Sequence, residues 1–338
     1  MKLLLHEYRL PLAHPFTIAR ESITEQHSLI VELREGGHSG FGEAPLNDYY
    51  DATLNRVRAA LESAREAVES HAFTHPHLLF EATAPWLAAH PFAQSALDCA
   101  AHDLWGRQQN QSVHRLWGLD PAAAPASSYT IGIDTVEVMV AKLLERPHWP
   151  VYKVKVGTAN DLEAVRALRA QTTARLRVDA NCGWSEEEAV SLSLALAGLG
   201  VEFIEQPLPP NSTAQERVFA ESALPLIADE SCVGEADVEA CAGRFHGINI
   251  KLCKCGGLTP ARRMVAKARA LGLRVMVGCM TESTVGISAA AQMAPLVDFV
   301  DLDGAALLAA DAATGVRVED GRFHFPDAPG CGIELLPH

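Results

Sequence analysis

Hydrophobic and polar positions follow two different rhythms along this chain, and the change of rhythm divides it. Up to about residue 45 the apolar residues form strand-like runs. Leu29-Ile30-Val31-Glu32-Leu33 and Gly40-Phe41-Gly42-Glu43 flank Glu35-Gly36-Gly37-His38, which predicts a hairpin. The stretch between Pro15 and Ser28 is polar and reads as a loop containing Thr17, Arg20 and Glu21. From about 52 to 118 the period becomes helical, with Ala93, Leu97, Ala100, Ala101 and Leu104 on one face. Residues 1–122 therefore predict a small α+β unit.

Ala122-Ala123-Ala124-Pro125-Ala126 reads as a linker, and strict strand-helix alternation follows it. Strands are predicted at 128–132, 152–157, 176–180, 203–206, 226–229, 248–252, 274–278 and 299–303. A helix separates each pair. Ser185 and Glu188 form a capping box for one of them. Another is punctuated by Thr259 as cap, Pro260 at its first position and Gly272 at its end. Eight strands and seven helices over 123–311 predict a (β/α)7β barrel of the TIM type, closed and parallel. An open doubly wound sheet fits less well, because no glycine-rich phosphate loop follows the first strand. From about 312 to 338 a hairpin-like pattern returns, expected to fold back on the first unit.

Composition narrows the function. Of 338 residues 48% are hydrophobic and 21% charged, enough for a full core, and the net charge of −14 argues against nucleic acid or an anionic membrane as partner. The opening Met1–Glu7 has too short an apolar run for a signal peptide, and no run is long enough to span a bilayer. Eight cysteines without a CxxC pair read as reduced thiols in a cytoplasmic protein rather than a zinc site. None of this speaks against a homo-oligomer.

The chemistry begins at Lys153-Val154-Lys155. Alternation places both amines on one side of a strand, where mutual repulsion is expected to lower one pKa towards that of a base. Taken alone, the stretch reads rather as a surface strand with two solvated lysines. Its successors change that reading. Lys155, Asp179, Glu205, Asp229 and Lys251 each end a predicted strand, 24, 26, 24 and 22 residues apart. One strand-helix unit consumes about that length, so all five should reach the carboxyl-terminal mouth. Three carboxylates on adjacent strands repel unless a hard divalent cation joins them, and all-oxygen ligands select magnesium or manganese. Strands two and six face each other in a ring of eight, so Lys155 and Lys251 should flank a substrate carboxylate on that metal. One lysine would remove the α-proton, the metal would stabilise the enediolate, and the other lysine would return a proton to the opposite face. Asn181 and Glu230 are expected to support the ligands, and Lys254, just past its strand, to be structural.

These motifs (Lys153-Val154-Lys155, Val178-Asp179-Ala180-Asn181, Ile204-Glu205-Gln206-Pro207, Ala228-Asp229-Glu230-Ser231 and Asn249-Ile250-Lys251) resemble the enolase superfamily in its muconate lactonizing enzyme subgroup. The resemblance covers nearly the whole chain and implies a capping domain over residues 1–122, one Mg²⁺ per subunit and a lysine base. Asp301-Leu302-Asp303 resembles the dipeptide epimerases, where the matching pair is expected to hold the substrate's α-ammonium. The resemblance therefore implies inversion of the C-terminal residue of a small dipeptide, with L-Ala-D/L-Glu the commonest type. It also implies that the segment of Cys279 and Thr281 serves the substrate carboxylate. Arg20 is a candidate bidentate partner for a glutamate side chain, or else pairs with Glu21 or Asp48. The o-succinylbenzoate synthases and N-acylamino acid racemases of the subgroup are the nearer alternatives, but their substrates leave Asp301 and Asp303 unexplained. A Schiff-base aldolase on the same barrel is the alternative from another class; it predicts borohydride trapping and no metal requirement.

Overall fold

The computed structural model describes residues 1–337. The first unit is an antiparallel sheet of β1 (Lys2–Ile18), β2 (Glu21–Glu35) and β3 (His38–Pro45), backed by α1 (Leu54–Ser70), α2 (Pro76–Leu87), α3 (Pro91–Gln108) and the single turn α4 (Val113–Leu116). The predicted hairpin is present: Glu35 pairs with His38, and Gly36 and Gly37 take φ of +60° and +83°, as a two-residue turn of type I′ needs. The expected loop from Pro15 to Ser28 is not a loop. Phe16 pairs with Ile23, Thr17 with Ser22 and Ile18 with Glu21, so β1 and β2 continue into a long hairpin with Ala19 and Arg20 at its tip. A register shift between Pro11 and Phe16 breaks the alternation, and the exposed polar tip places Arg20 and Glu21 along the edge of a cavity.

One face of this sheet packs against α3. Gly40 and Gly42 make the close approach, because a Cβ on Gly42 would lie 2.1 Å from the Ala96 carbonyl oxygen and one on Gly40 2.3 Å from that of Ala100. Gly42→Ala is expected to cost about 1–3 kcal/mol through overpacking, read as a lower Tm. An unchanged Tm would show that α3 is not seated on the sheet in this way.

The second unit alternates β4 (Tyr129–Ile131), α5 (Val136–Glu145), β5 (Val151–Lys155), α6 (Asp161–Gln171), β6 (Arg175–Asp179), α7 (Glu186–Gly198), β7 (Val201–Glu205), α8 (Gln215–Glu221), β8 (Leu226–Ala228), α9 (Val238–Cys241), β9 (Gly247–Lys251), α10 (Leu252–Cys255), α11 (Leu258–Ala270), β10 (Arg274–Gly278), α12 (Thr284–Ala291) and β11 (Phe299–Asp301). The eight strands run in sequence order, all parallel, and a Ser127–Val300 bridge joins the last to the first. The sheet is therefore closed. Phe203, Ile227, Met276 and Phe299 form a separate cluster of buried side chains, one each from β7, β8, β10 and β11. The buried Arg177 stacks on Phe203 and Phe299 and donates to Glu202 and the Val300 carbonyl.

One helix start differs from expectation. The helix expected to be capped by Thr259 and to start at Pro260 begins two residues earlier, at Leu258. Thr259 instead donates through its amide and hydroxyl to Asp98 of α3, tying the two units together. The end of the chain forms β12 (Ala313–Thr314), β13 (Arg317–Glu319), β14 (Arg322–His324) and β15 (Glu334–Leu335). It meets α3 at Asp103, whose carboxylate accepts from the Cys331 and Phe41 amides and from Arg107.

Candidate active site

The barrel mouth gathers the charged strand ends because parallel strands in register deliver equivalent positions to one level. Lys155 pairs with Asp179, Asp179 with Glu205, and Lys251 with Gly278 across the sheet. Asp229 follows the last residue of β8. One carboxylate oxygen from each of Asp179, Glu205 and Asp229 lies within 4.8 Å of the other two, and the three residues are at most 1% exposed.

Four lysines surround this triad. Lys155 Nζ lies 2.7 Å from Asp179 Oδ2 and Lys251 Nζ 2.9 Å from Asp229 Oδ2. Lys153 Nζ bridges Asp179 (3.1 Å), Glu205 (2.8 Å) and Asp301 (2.7 Å). Lys254, expected to be structural, donates to Asp229 Oδ1 at 2.6 Å and to the carbonyls of Asp229 and Cys232. It is therefore in direct contact with the triad. In the closed ring β5 and β9 are four strands apart either way, which sets Lys155 and Lys251 on opposite walls.

At Lys153 the charge balance runs against the lowering expected of one amine of the pair. Burial by itself would lower the pKa of Lys153, but Asp301, Glu205 and Asp179 outweigh it and raise it well above the usual value. Lys251 behaves alike: burial opposes the charge, Asp229 favours it, and the pKa rises. Repulsion between neighbouring amines is a small effect beside three buried carboxylates. The acids split in turn. Asp179 and Asp229 are held well below the usual range, because Lys155 and Lys251 respectively overcome the effect of burial. Glu205 is pushed up to about 7 by burial and by Asp179.

Glu205 Oε1 accepts from Asn249 at 2.8 Å, whereas Oε2 finds no partner in hydrogen-bond geometry despite the nearby Lys153. An all-oxygen triad with an unsatisfied buried acceptor fits a hard divalent cation. Asn249 was not singled out from the sequence. It shares the Lys251 face of β9 at i−2, and that alternation was the available signal.

Opposite the triad, Asp301 and Asp303 line the same cavity as Lys153, Lys155 and Lys251. Asp303 lies just past β11 rather than in it, and accepts from the amide and hydroxyl of Thr130. Burial and Asp301 push it up to about 7. Ser128 donates to Asp301 at 2.5 Å. Ser128 and Thr130 carried no chemical signature in sequence; only ring closure brings β4 beside β11.

Cys279 and Thr281 line the cavity as expected, with Met280 between them. The hairpin tip covers it. Arg20 donates to Glu230 at 2.8 Å, reaches the Asn181 carbonyl at 3.4 Å and stands 4.2 Å from the Tyr49 ring. It pairs with neither Glu21 nor Asp48. Asn181 in turn donates its amide to Asp179 Oδ1 and its side chain to Glu230.

The family model described as "Enolase C-terminal domain-like" matches residues 136–338, and that described as "Mandelate racemase / muconate lactonizing enzyme, N-terminal domain" matches residues 2–118. The L-Ala-D/L-amino acid epimerase of Flavobacterium johnsoniae is 50% identical over 99% of this chain and 100% of its own. That of a Maribacter species is 49% identical over 99% of each. The dipeptide epimerase of Enterococcus faecalis V583, solved with Mg and L-Leu-L-Tyr, superposes with a TM-score of 0.93 at 30% identity over 98% of each chain. With both of its parts matched, the chain belongs to the mandelate racemase/muconate lactonizing enzyme family, within the enolase superfamily.

Proposed function

We propose that this protein is a dipeptide epimerase that inverts the α-carbon of the C-terminal residue of L-Ala-Xaa dipeptides. One observation carries the reading: two buried amines on opposite walls of one cavity, with an acid triad beside them and a second acid pair across from it. Relatives at 50% and 49% identity that act on L-Ala-D/L-amino acid substrates support it.

In this reading Asp179, Glu205 and Asp229 hold one Mg²⁺. When bound, Mg²⁺ offsets the negative charge that builds on the substrate carboxylate as the α-proton leaves. Lys155 and Lys251 do the proton transfer. One amine takes the α-proton from one face while the ammonium opposite delivers a proton to the other, so the two exchange roles with the direction of reaction. Lys153 stays charged between Asp179, Glu205 and Asp301, and balances the acids without taking part in the transfer. Asp301 and Asp303 receive the dipeptide's α-ammonium. The segment Cys279–Thr281 closes on the carboxylate end, with Asn181 and Glu230 steadying Asp179 and Arg20. A glutamate side chain on the substrate would have to compete with Glu230 for Arg20, so the site is suited to a range of second residues rather than to glutamate alone.

Incubation of an L-Ala-L-Xaa library with Mg²⁺ in D₂O should give α-deuterium at the second residue, read by mass spectrometry. No incorporation with any member would sink the proposal. Asp303→Asn should raise KM for free dipeptides by roughly 30-fold, the loss of a buried charge pair worth about 2 kcal/mol. An equal penalty for N-acetylated dipeptides would remove the ammonium from this position.

A further inference from the structure

Behind the cavity wall sits a second buried acid pair, and none of the chemistry above uses it. Glu43 comes from β3 of the first unit, and Glu282 from the segment between β10 and α12. Both are buried, and Glu282 is not among the residues lining the cavity. Glu43 is richly satisfied: its carboxylate accepts from the Ser28 hydroxyl, from the amide and hydroxyl of Ser283, and from the Gly286 amide. Glu282 accepts from the Met280 amide at 2.8 Å. The two carboxyl groups converge on Gly286. A Cβ there would lie 2.1 Å from Glu282 Oε2 and 3.2 Å from Glu43 Oε2.

Two buried acids this close cannot both be ionised cheaply, so one keeps its proton. The donors decide which. Four groups donate to Glu43, and donors favour the charged form, so Glu282 is the neutral partner. Its pKa is pushed up to about 8 by burial and then by Glu43, with the Met280 amide and then Lys251 of β9 acting the other way; burial raises Glu43 as well, against its four donors. The other titratable groups facing it are the thiols of Cys99 on α3, Cys253 on α10 and Cys279 at the end of β10, all raised by burial.

Met280, whose amide Glu282 holds, lies between Cys279 and Thr281, and its sulfur is 3.9 Å from Lys251 Nζ. We propose that Glu282 is a positioning residue: seated as a neutral acid against Glu43, it holds Met280, and with it the Cys279–Thr281 wall of the cavity and the approach to Lys251, in register with the first unit. This rests on the dipeptide reading for its effect on catalysis, but not for its effect on the loop. Once Glu282 ionises, two like charges share one buried site, their repulsion outweighs the preference of the Met280 amide for the charged form, and the wall loosens. Substrate binding should therefore weaken as pH rises through about 8.

Two measurements test it. Hydrogen exchange of the Met280 amide needs no substrate. Glu282→Ala should speed it about tenfold, as expected for a lost buried hydrogen bond, and Glu282→Gln should leave it near the parent rate. Gly286→Ala, which displaces Glu282 without altering either acid, should act like Glu282→Ala. In dipeptide turnover, Glu282→Ala should raise KM by about tenfold with a smaller change in kcat. Glu282→Gln should restore KM and lose the rise that the parent shows above about pH 8. Parent-like exchange in Glu282→Ala, or an alkaline rise in KM that survives in Glu282→Gln, overturns the proposal. Exchange rates as expected with no dipeptide turned over would instead sink the assigned reaction and leave the loop-holding role standing.

Discussion

Lys251→Ala is expected to lower kcat/KM for epimerisation by roughly 10³-fold or more, the scale of a lost general acid–base group. The loss should be one-sided in a diagnostic way. With Lys251 gone, Lys155 still faces one side of the α-carbon and can exchange its hydrogen from that face in D₂O. One stereoisomer should therefore incorporate deuterium while neither is converted. Lys155→Ala should show the mirror preference. The prediction follows from ring geometry, since the two amines arise four strands apart and are held by different carboxylates, Asp179 and Asp229. Polarimetry reads inversion, and mass spectrometry of each stereoisomer reads exchange. If either variant inverted its substrate at the parent rate, the two-face scheme would be wrong. Each amine is buried against a carboxylate, so its loss also lowers stability, and circular dichroism of each variant separates that effect from the loss of proton transfer.

Removal of metal should be as severe. EDTA is expected to bring epimerisation to background, with Mg²⁺ restoring it, and Glu205→Gln should weaken Mg²⁺ binding by more than about 100-fold in calorimetry, since even outer-shell partners account for 10–100-fold. The stability effect should run the other way. Glu205 is pushed up to about 7 by burial and by Asp179, so its charge opposes the metal-free fold at pH 8. A raised carboxyl pKa means that the folded state binds the proton more tightly than the unfolded one. Stability is therefore lost as pH climbs towards the folded value. The glutamine variant escapes that loss, and without metal at pH 8 it should melt no lower than the parent. Full turnover in EDTA, or recovery with Zn²⁺ alone, would remove the assignment of the triad.

How far the site could be read from the chain varies residue by residue. Lys155, Asp179, Glu205, Asp229 and Lys251 were legible as one set because each ends a strand and a strand-helix unit consumes a nearly constant length. Their common level at the mouth follows from counting. Asn249 was within reach of the same argument, two residues before Lys251. Lys254 was not, because it leaves its strand for the single turn α10, and only the fold of that turn swings its amine onto Asp229. The hairpin over residues 15–28 was misread because a register shift hides its alternation and its exposed polar tip lies along the edge of a cavity. The expected fall in a lysine pKa does not occur at Lys153, for a different reason. The sequence shows Lys153 beside Lys155, but not that three carboxylates come closer to Lys153 than its neighbour's charge can offset.

Local patterning alone determined the barrel, its eight strands and which charged residues reach its mouth, because strand period, helix caps and unit length are short-range properties written every few residues. The tertiary structure decided everything that depends on distance through space: which acid each lysine serves, Arg20 on Glu230, Thr130 on Asp303, and Glu43 against Glu282 across 239 residues of chain. Electrostatic energy falls with separation in space and rises with burial, and neither quantity can be counted along a sequence.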